Sequence, residues 1–238
     1  ENFLEEEVIS GVGFNYYNNE QGIEDGVNAL YPVLRTLYTS NESMLRLSTS
    51  GTDLFTQTTE GNKNFHRYDA GLNPNNGTVN DLWRHSYRTI NLANEIIARI
   101  GDIEFEDNGI KKTRLGEAHF MRALLYFNLV RQFGAIPIKL KPTNSVELEF
   151  SRAPVADVYE QILADLHAAK NNLLPKDKTD YGRATLGAAQ HLLSLVYLTR
   201  ASAETNIRGS QSYDLDSAIY YSETLINNPI YGLEEDYN

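Results

Sequence analysis

Residues 113–133 read TRLGEAHFMRALLYFNLVRQF, and the order of side chains in that run decides the fold class. Ala118, Met121, Leu125 and Leu129 recur at three- and four-residue intervals, and Phe120, Leu124 and Phe127 widen the same stripe. So broad an apolar face at a 3.6-residue period predicts a helix buried against neighbours on two sides. Gly134 is a suitable C-terminal cap, and Pro137 stops any continuation.

Outward from this helix, the same periodicity predicts five more. The first occupies residues 20–39, with Ile23, Val27, Leu30 and Leu37 on one side and Pro32 predicting a kink or break. The second starts near Asn80, where Thr78 and Asp81 have capping-box spacing, and runs through Trp83, Tyr87, Ile90, Ala93 and Ile97 to Gly101. The fourth opens at Pro154, passes Val158, Ile162, Asp165, Leu166 and Ala169, and ends before Pro175. The fifth is capped by Thr185 and carries Ala188, Ala189, Leu192, Leu195, Val196 and Leu198; the sixth begins after Asp214 and ends at Pro229. Strict strand alternation is nearly absent, so the chain reads as all-α.

The helices also resemble one another. Slid onto the fourth, the second pairs Trp83 with Tyr159, Tyr87 with Leu163, Ile90 with Leu166, Ala93 with Ala169 and Ile97 with Leu173. The third slides onto the fifth with Gly116 on Gly187, Ala118 on Ala189, Leu125 on Val196 and Tyr126 on Tyr197. Small residues at matched positions let helix axes approach, which is how tetratricopeptide-type hairpins stack, each burying its face on the next. The connection over residues 133–154 is too long for that repeat's period of roughly 34 residues. The expected architecture is one domain over residues 1–238, built of irregular tetratricopeptide-like helical hairpins with long loops.

Composition closes several functional classes. With 0 Cys among 238 residues there is no disulfide, no thiolate nucleophile and no cysteine metal site. A net charge of -11 repels a phosphate backbone, and no run of basic residues offsets it, so nucleic acid is not an expected partner. A mean hydropathy of -0.43 describes a globular chain. No stretch approaches the ~18 apolar residues a spanning helix needs. The five histidines stand singly, and no phosphate-binding loop or nucleophile elbow is present, so neither a cofactor nor a metal is expected. A glycosidase would need two carboxylates about 5–10 Å apart, and no pair can be picked from the sequence. Glu117, Arg122 and Arg183 are charges set in apolar surroundings, best read as members of structural ion pairs.

Residues 48–80 form a long stretch carrying Asn62, Asn64, Asn73, Asn75, Asn76 and Asn80, with Phe55, Phe65, Tyr68, Asp53, Asp69 and Arg67 among them. Flat aromatic rings that stack on sugar faces, beside amide and charged groups that bond hydroxyls in pairs, make a carbohydrate-binding surface. The same asparagines could instead bond their own backbone in an ordered loop.

The pattern Trp83-x3-Tyr87-x2-Ile90-x2-Ala-Asn94 is followed by Gly116-Glu-Ala-x-Phe-x-Arg-Ala-x2-Tyr-Phe-x-Leu-Val-x2-Phe-Gly-x-Ile-Pro137. Val158-Tyr-x2-Ile-x2-Asp-Leu-x2-Ala169 through Leu174-Pro175 comes next, then Gly182-Arg-Ala-Thr-x2-Ala-Ala189 through Val196-Tyr-Leu198. In order and spacing these four signatures resemble the SusD/RagB family of Bacteroidetes. The resemblance implies an exported, lipid-anchored protein at the outer-membrane surface that captures a glycan and hands it to a SusC-like TonB-dependent transporter, without chemistry of its own.

In the family's starch-binding type, ligand contacts follow a Thr-Asp dipeptide, which Thr52-Asp53 resembles. That places contacts in residues 54–64, at Phe55, Gln57 and Asn62. The pair of tryptophans expected of a starch binder is absent there. The candidate glycan-binding residues are therefore Asp53, Phe55, Gln57, Asn62, Phe65, Arg67 and Tyr68, with starch itself disfavoured. The family's anchor cysteine is absent and its members are longer, so residues 1–238 are expected to be an N-terminal part. The competing readings are a helical-repeat module that docks a protein through its stacked faces, and a glycosidase.

Overall fold

A computed structural model describes residues 16–39, 44–53, 63–143 and 149–232. Among these the regular structure is helical. The elements are α1 (Glu20–Asn28), α2 (Pro32–Thr39), α3 (Met44–Thr49), α4 (Lys63–Arg67), α5 (Gly77–Arg99), α6 (Asn108–Phe133), α7 (Val155–Asn172), α8 (Leu186–Ala201), α9 (Thr205–Arg208) and α10 (Asp214–Ile226). Extended pairing is confined to one isolated antiparallel bridge, between Ile136 and Ala153.

The helix limits follow from local chemistry. Residues 20–39 are broken as Pro32 requires, and Pro32 becomes the first residue of α2, where its missing N–H costs nothing. Thr185 caps α8 through its side chain, which accepts from the Ala188 N–H at 3.1 Å. Gly134 closes α6 with φ +68, the left-handed region that a Cβ penalises. Two starts differ from expectation. Asn76, not Thr78, caps α5, its carboxamide oxygen accepting from the Thr78 N–H; Thr78 is left buried inside the first turn and Asp81 pairs with Arg84. Likewise α6 begins at Asn108 because Asp107 caps it, accepting from the Gly109 N–H at 2.6 Å.

Consecutive long helices run antiparallel, as their side-chain pairings show. Trp83, Tyr87 and Asn94, ascending along α5, meet Phe133, Tyr126 and Arg122, descending along α6. Phe127 and Arg122 then meet Tyr159 and Asp165 of α7. Glu160 and His167 of α7 meet Arg200 and Tyr197 of α8, and Arg200 and Ser194 meet Asp214 and Ser222 of α10. The most extensive contacts are α6 on α7 and α8 on α10. One apolar cluster runs from Ile23 and Val27 of α1 through Ile90, Met121, Leu125 and Leu166 to Tyr221 of α10. These nested antiparallel hairpins are the tetratricopeptide-like stack.

The internal repeat holds at the level of packing. Ile90 and its counterpart Leu166 are wholly buried, as are Ala93 and Ala169, and Ala118 and Ala189. Gly116 and Gly187 are closely approached in the same way. A Cβ on Gly116 would lie 3.0 Å from the Cβ of Asn172 at the end of α7, and one on Gly187 would meet the ring of Tyr231 beyond α10. The match in burial fails at three pairs. Tyr87 and Ile97 are only partly buried while Leu163 and Leu173 are buried, and Trp83 differs in the same way from its buried counterpart Tyr159. Among the described residues no long helix precedes α5 to cover Trp83, and the short α3 and α4 stand there instead.

The three isolated charges each find partners, although Glu117 and Arg122 do not bond each other. Glu117, wholly buried, accepts from Arg114 (2.7 Å), Arg183 (2.9 Å) and the Tyr31 hydroxyl (2.6 Å). That tethers the α1–α2 turn and the segment before α8 to the middle of α6. Arg122 donates to both carboxylate oxygens of Asp165 and to Asn94.

Candidate functional site

Much of the Asn-rich stretch is committed to building turns. Asn64 donates to the Gly71 carbonyl (2.9 Å), as does Asn76 (3.1 Å). Asn73 donates to the Ala70 carbonyl and accepts from the Asn75 N–H, and Asp69 accepts from the Gly71 N–H. These are side chains bonding their own neighbourhood, the second of the two behaviours such residues show. They order the loop and set the two aromatic residues that follow from it.

Phe65, 5 % exposed, is the floor of a groove of about 610 Å³. Tyr68, 69 % exposed, stands at its rim. Tyr68 has φ +52, left-handed backbone that costs an aromatic residue of order 1–3 kcal/mol and persists only where the surroundings impose it. Here the tie is its own hydroxyl, which donates to the carbonyl of Gly51 at 3.0 Å. Gly51 is itself left-handed (φ +82), and a Cβ on it would sit 2.5 Å from the Tyr68 oxygen and 2.6 Å from the Phe65 carbonyl oxygen. A ring is thus held out into solvent by one hydrogen bond, from a strained tyrosine to a glycine that takes up its left-handed conformation without strain.

Across the groove lie Trp83 of α5 and Phe133 of α6, ring centroids 5.1 Å apart and perpendicular, with Arg46, Asn80, Gln132 and Arg152 supplying polar groups. Trp83 also walls a second groove, of about 470 Å³, between α5 on one side and Pro137, Lys139, Thr143 and Phe150 on the other. The extended segment bordering it is clamped by side chains. Tyr87 donates to the Pro137 carbonyl (2.7 Å), Tyr126 both donates to and accepts from the Lys139 backbone (2.7 Å each), Asn94 donates to the Lys139 and Lys141 carbonyls, and Asn91 accepts from the Thr143 N–H. Burial pushes the Tyr87 hydroxyl well above its ordinary value, with Tyr126 adding to the rise and the positive charge of Arg152 opposing it. Both hydroxyls therefore stay protonated as donors. The second groove is lined by Trp83, Tyr87, Pro137 and Phe150 on its apolar side, and by Arg88, Asn91 and Lys139 on its polar side.

Two aromatic-walled grooves meeting at one tryptophan can stack sugar rings and bond their hydroxyls, and among the described residues that line them none is a nucleophile with an adjacent base. Among the described residues no three His, Asp or Glu converge as a metal site. A family model described as SusD-like, "Starch-binding associating with outer membrane", matches residues 2–198. The chain belongs to the SusD-like family. It is 28% identical over 234 residues to the SusD-like protein P2 of Formosa agariphila, covering 93% of this chain and 46% of that one. Among solved structures, a laminarin-binding SusD-like protein superposes with TM-score 0.72 at 26% identity, over 90% of this chain and 44% of that one. A SusD homologue from Bacteroides thetaiotaomicron does so with TM-score 0.77 at 26% identity, over 94% and 43%. The chain thus spans a little under half the length of these relatives. No described helix is long and apolar enough to cross a membrane.

Of the SusD-like candidate contacts read from the sequence, Phe65 and Tyr68 come together in the larger groove. Asp53 and Arg67 are exposed and line neither groove. Phe55, Gln57 and Asn62 lie outside the described residues. Trp83, Phe133, Arg152 and the second groove are not among the sequence candidates. Trp83 is the chain's one tryptophan, at a helical core spacing that conceals its open side. The mismatch with Tyr159 in exposure shows only once α3 and α4 are seen not to cover it.

Proposed function

We propose that this SusD-like chain carries the recognition surface of a cell-surface protein that captures an oligosaccharide and delivers it unaltered to a TonB-dependent outer-membrane transporter, the mature protein being lipid-anchored. The observation that carries this reading is the strained, exposed Tyr68 facing Phe65 and the half-open Trp83 across one groove. Stacking supplies most of the affinity, because an aromatic face and a pyranose face both shed water over a flat area. The turn-building asparagines keep the rim in place at no cost to ligand contacts. The laminarin-binding relative supports a glycan as the ligand class. The reading is of binding followed by release, in keeping with described linings that pair no acid with a base across a bound sugar.

Tyr68→Ala in the full chain is expected to weaken oligosaccharide binding, by isothermal titration calorimetry, by about tenfold, the worth of one stacked ring at roughly 0.5–1.5 kcal/mol plus its buried area. Gly51→Ala should match it while leaving every ring present, since its Cβ displaces the Tyr68 hydroxyl. Unchanged affinity in both variants would remove this groove as the site. Appearance of shorter sugars after prolonged incubation with a panel of glycans would replace binding by hydrolysis.

A further inference from the structure

The two grooves differ in charge from the molecule that contains them. The chain has 32 Asp and Glu against 21 Lys and Arg. Yet the larger groove is lined by Arg46 and Arg152, the smaller by Arg88 and Lys139, and among the described residues neither lining contains an acidic one. These four cations come from α3, from α5 and from either side of residues 144–148, so no basic run announces them. Arg88 and Arg152 are exposed, and neither makes an ion pair among the described residues. The Lys139 ammonium lies 4.1 Å from the centroid of the Phe150 ring, on the same wall. Arg152 shares the lining of the larger groove with Trp83, the residue at which the two grooves meet.

From this we infer that the ligand is an acidic oligosaccharide, its rings stacked along Tyr68, Trp83 and Phe150 and its anionic groups, carboxylate or sulfate, held by Arg152 and Arg88. The inference rests on the glycan-binding reading and specifies its substrate class. Guanidinium groups also bond neutral hydroxyls, but a charge-assisted pair with an anion is roughly twice as strong. Planar forks that bond a carboxylate or a sulfate through two oxygens discriminate strongly for such groups. The surrounding negative charge would repel an acidic chain everywhere except along this trench, which guides the ligand to it and sharpens the contrast.

Three probes of matched length separate the possibilities: an oligogalacturonate, a sulfated galacto-oligosaccharide and a neutral gluco-oligosaccharide. Each is titrated into the full chain at low and at physiological salt. The expected result is that one or both acidic probes bind at least about tenfold more tightly than the neutral one, with affinity falling as salt is raised. A preference for uronate or for sulfate identifies which anion the trench takes. Arg88→Gln and Arg152→Gln, both at exposed positions and checked for unchanged thermal unfolding, should each reduce acidic-probe affinity by about tenfold and flatten the salt dependence of the binding that remains. Equal, salt-insensitive binding of all three probes, or acidic binding indifferent to both substitutions, would overturn the inference and leave glycan binding standing. Failure of all three to bind would count against the glycan-binding reading itself and take this inference with it.

Discussion

Asp165→Ala is expected to lower stability by about 3–5 kcal/mol, a fall in Tm of roughly 10 °C for a chain of this size. The carboxylate is 2% exposed and receives Arg122 through two bonds, 2.8 and 2.6 Å, with His119 Nδ1 at 2.7 Å. Truncation leaves the Arg122 guanidinium buried between α6 and α7 with only Asn94 as a partner, and an uncompensated buried charge is what makes such a change severe. The pH dependence follows from the same site. Burial pushes the Asp165 carboxyl up, but hydrogen bonds from His119 and Arg122 outweigh it and leave the group below the ordinary aspartate value. A carboxyl depressed in the folded state contributes stability that is present above the unfolded value, near 3.8, and is lost as pH falls through the folded one. Urea unfolding from pH 7 to pH 2 should therefore show an acid-side decline that is shallower in Asp165→Asn, already weakened at neutral pH. A parallel decline in both proteins would assign the acid sensitivity elsewhere.

Arg200→Ala is expected to have an effect of the same order, about 3–5 kcal/mol, at the other end of the stack. Arg200 is wholly buried, bonds Asp214 through two nitrogens at 2.9 and 2.5 Å, and reaches Glu160 of α7 at 2.5 Å. It thus joins α7, α8 and α10 through one side chain, with Asp214 also accepting from the Gln211 N–H ahead of α10. Removing the arginine strands Asp214, whereas replacing both partners by leucine removes both charges. The double variant Arg200→Leu with Asp214→Leu should accordingly be more stable than Arg200→Ala alone, measured by chemical denaturation. If the double variant is instead the weaker of the two, the pair contributes more than the desolvation of its charges takes away. Glycan affinity should be unaffected in whatever fraction remains folded, because the cluster joins α7, α8 and α10 and none of these helices supplies a described lining residue to either groove.

How much the sequence disclosed depended on how local each determinant is. Thr185, Gly134 and Pro32 act through their own turn, and their roles at α8, α6 and α2 could be read directly. The start of α5 was displaced because Asn76 and Thr78 both have capping chemistry and only backbone geometry decides between them. The repeat was legible because small-against-large packing leaves a periodic trace in Ala93, Ala169, Gly116 and Gly187. Glu117, Arg122 and Arg183 could be recognised as charges needing partners, but not paired, because partners such as Asp165 lie far away in the chain.

The candidate site was only partly visible. Phe65 and Tyr68 stood out as aromatics in a polar stretch, while Asn64, Asn73 and Asn76 have the same composition signal and are spent on turns. Trp83 was hidden by its helical spacing. Its role depends on what does not pack over it, and a sequence records that poorly. The trench's cations escaped notice for a related reason, being assembled from separate elements rather than written side by side.

The central claim is that a stack of antiparallel hairpins leaves one half-open tryptophan as the meeting point of a glycan-binding trench. Its most direct test is a crystal structure of the full chain with a bound oligosaccharide. Sugar density is expected across the Trp83 indole, running from Tyr68 toward Phe150, with Arg152 within hydrogen-bonding distance of the ligand. Well-defined sugar bound elsewhere, with the Trp83 face left to solvent, would contradict it.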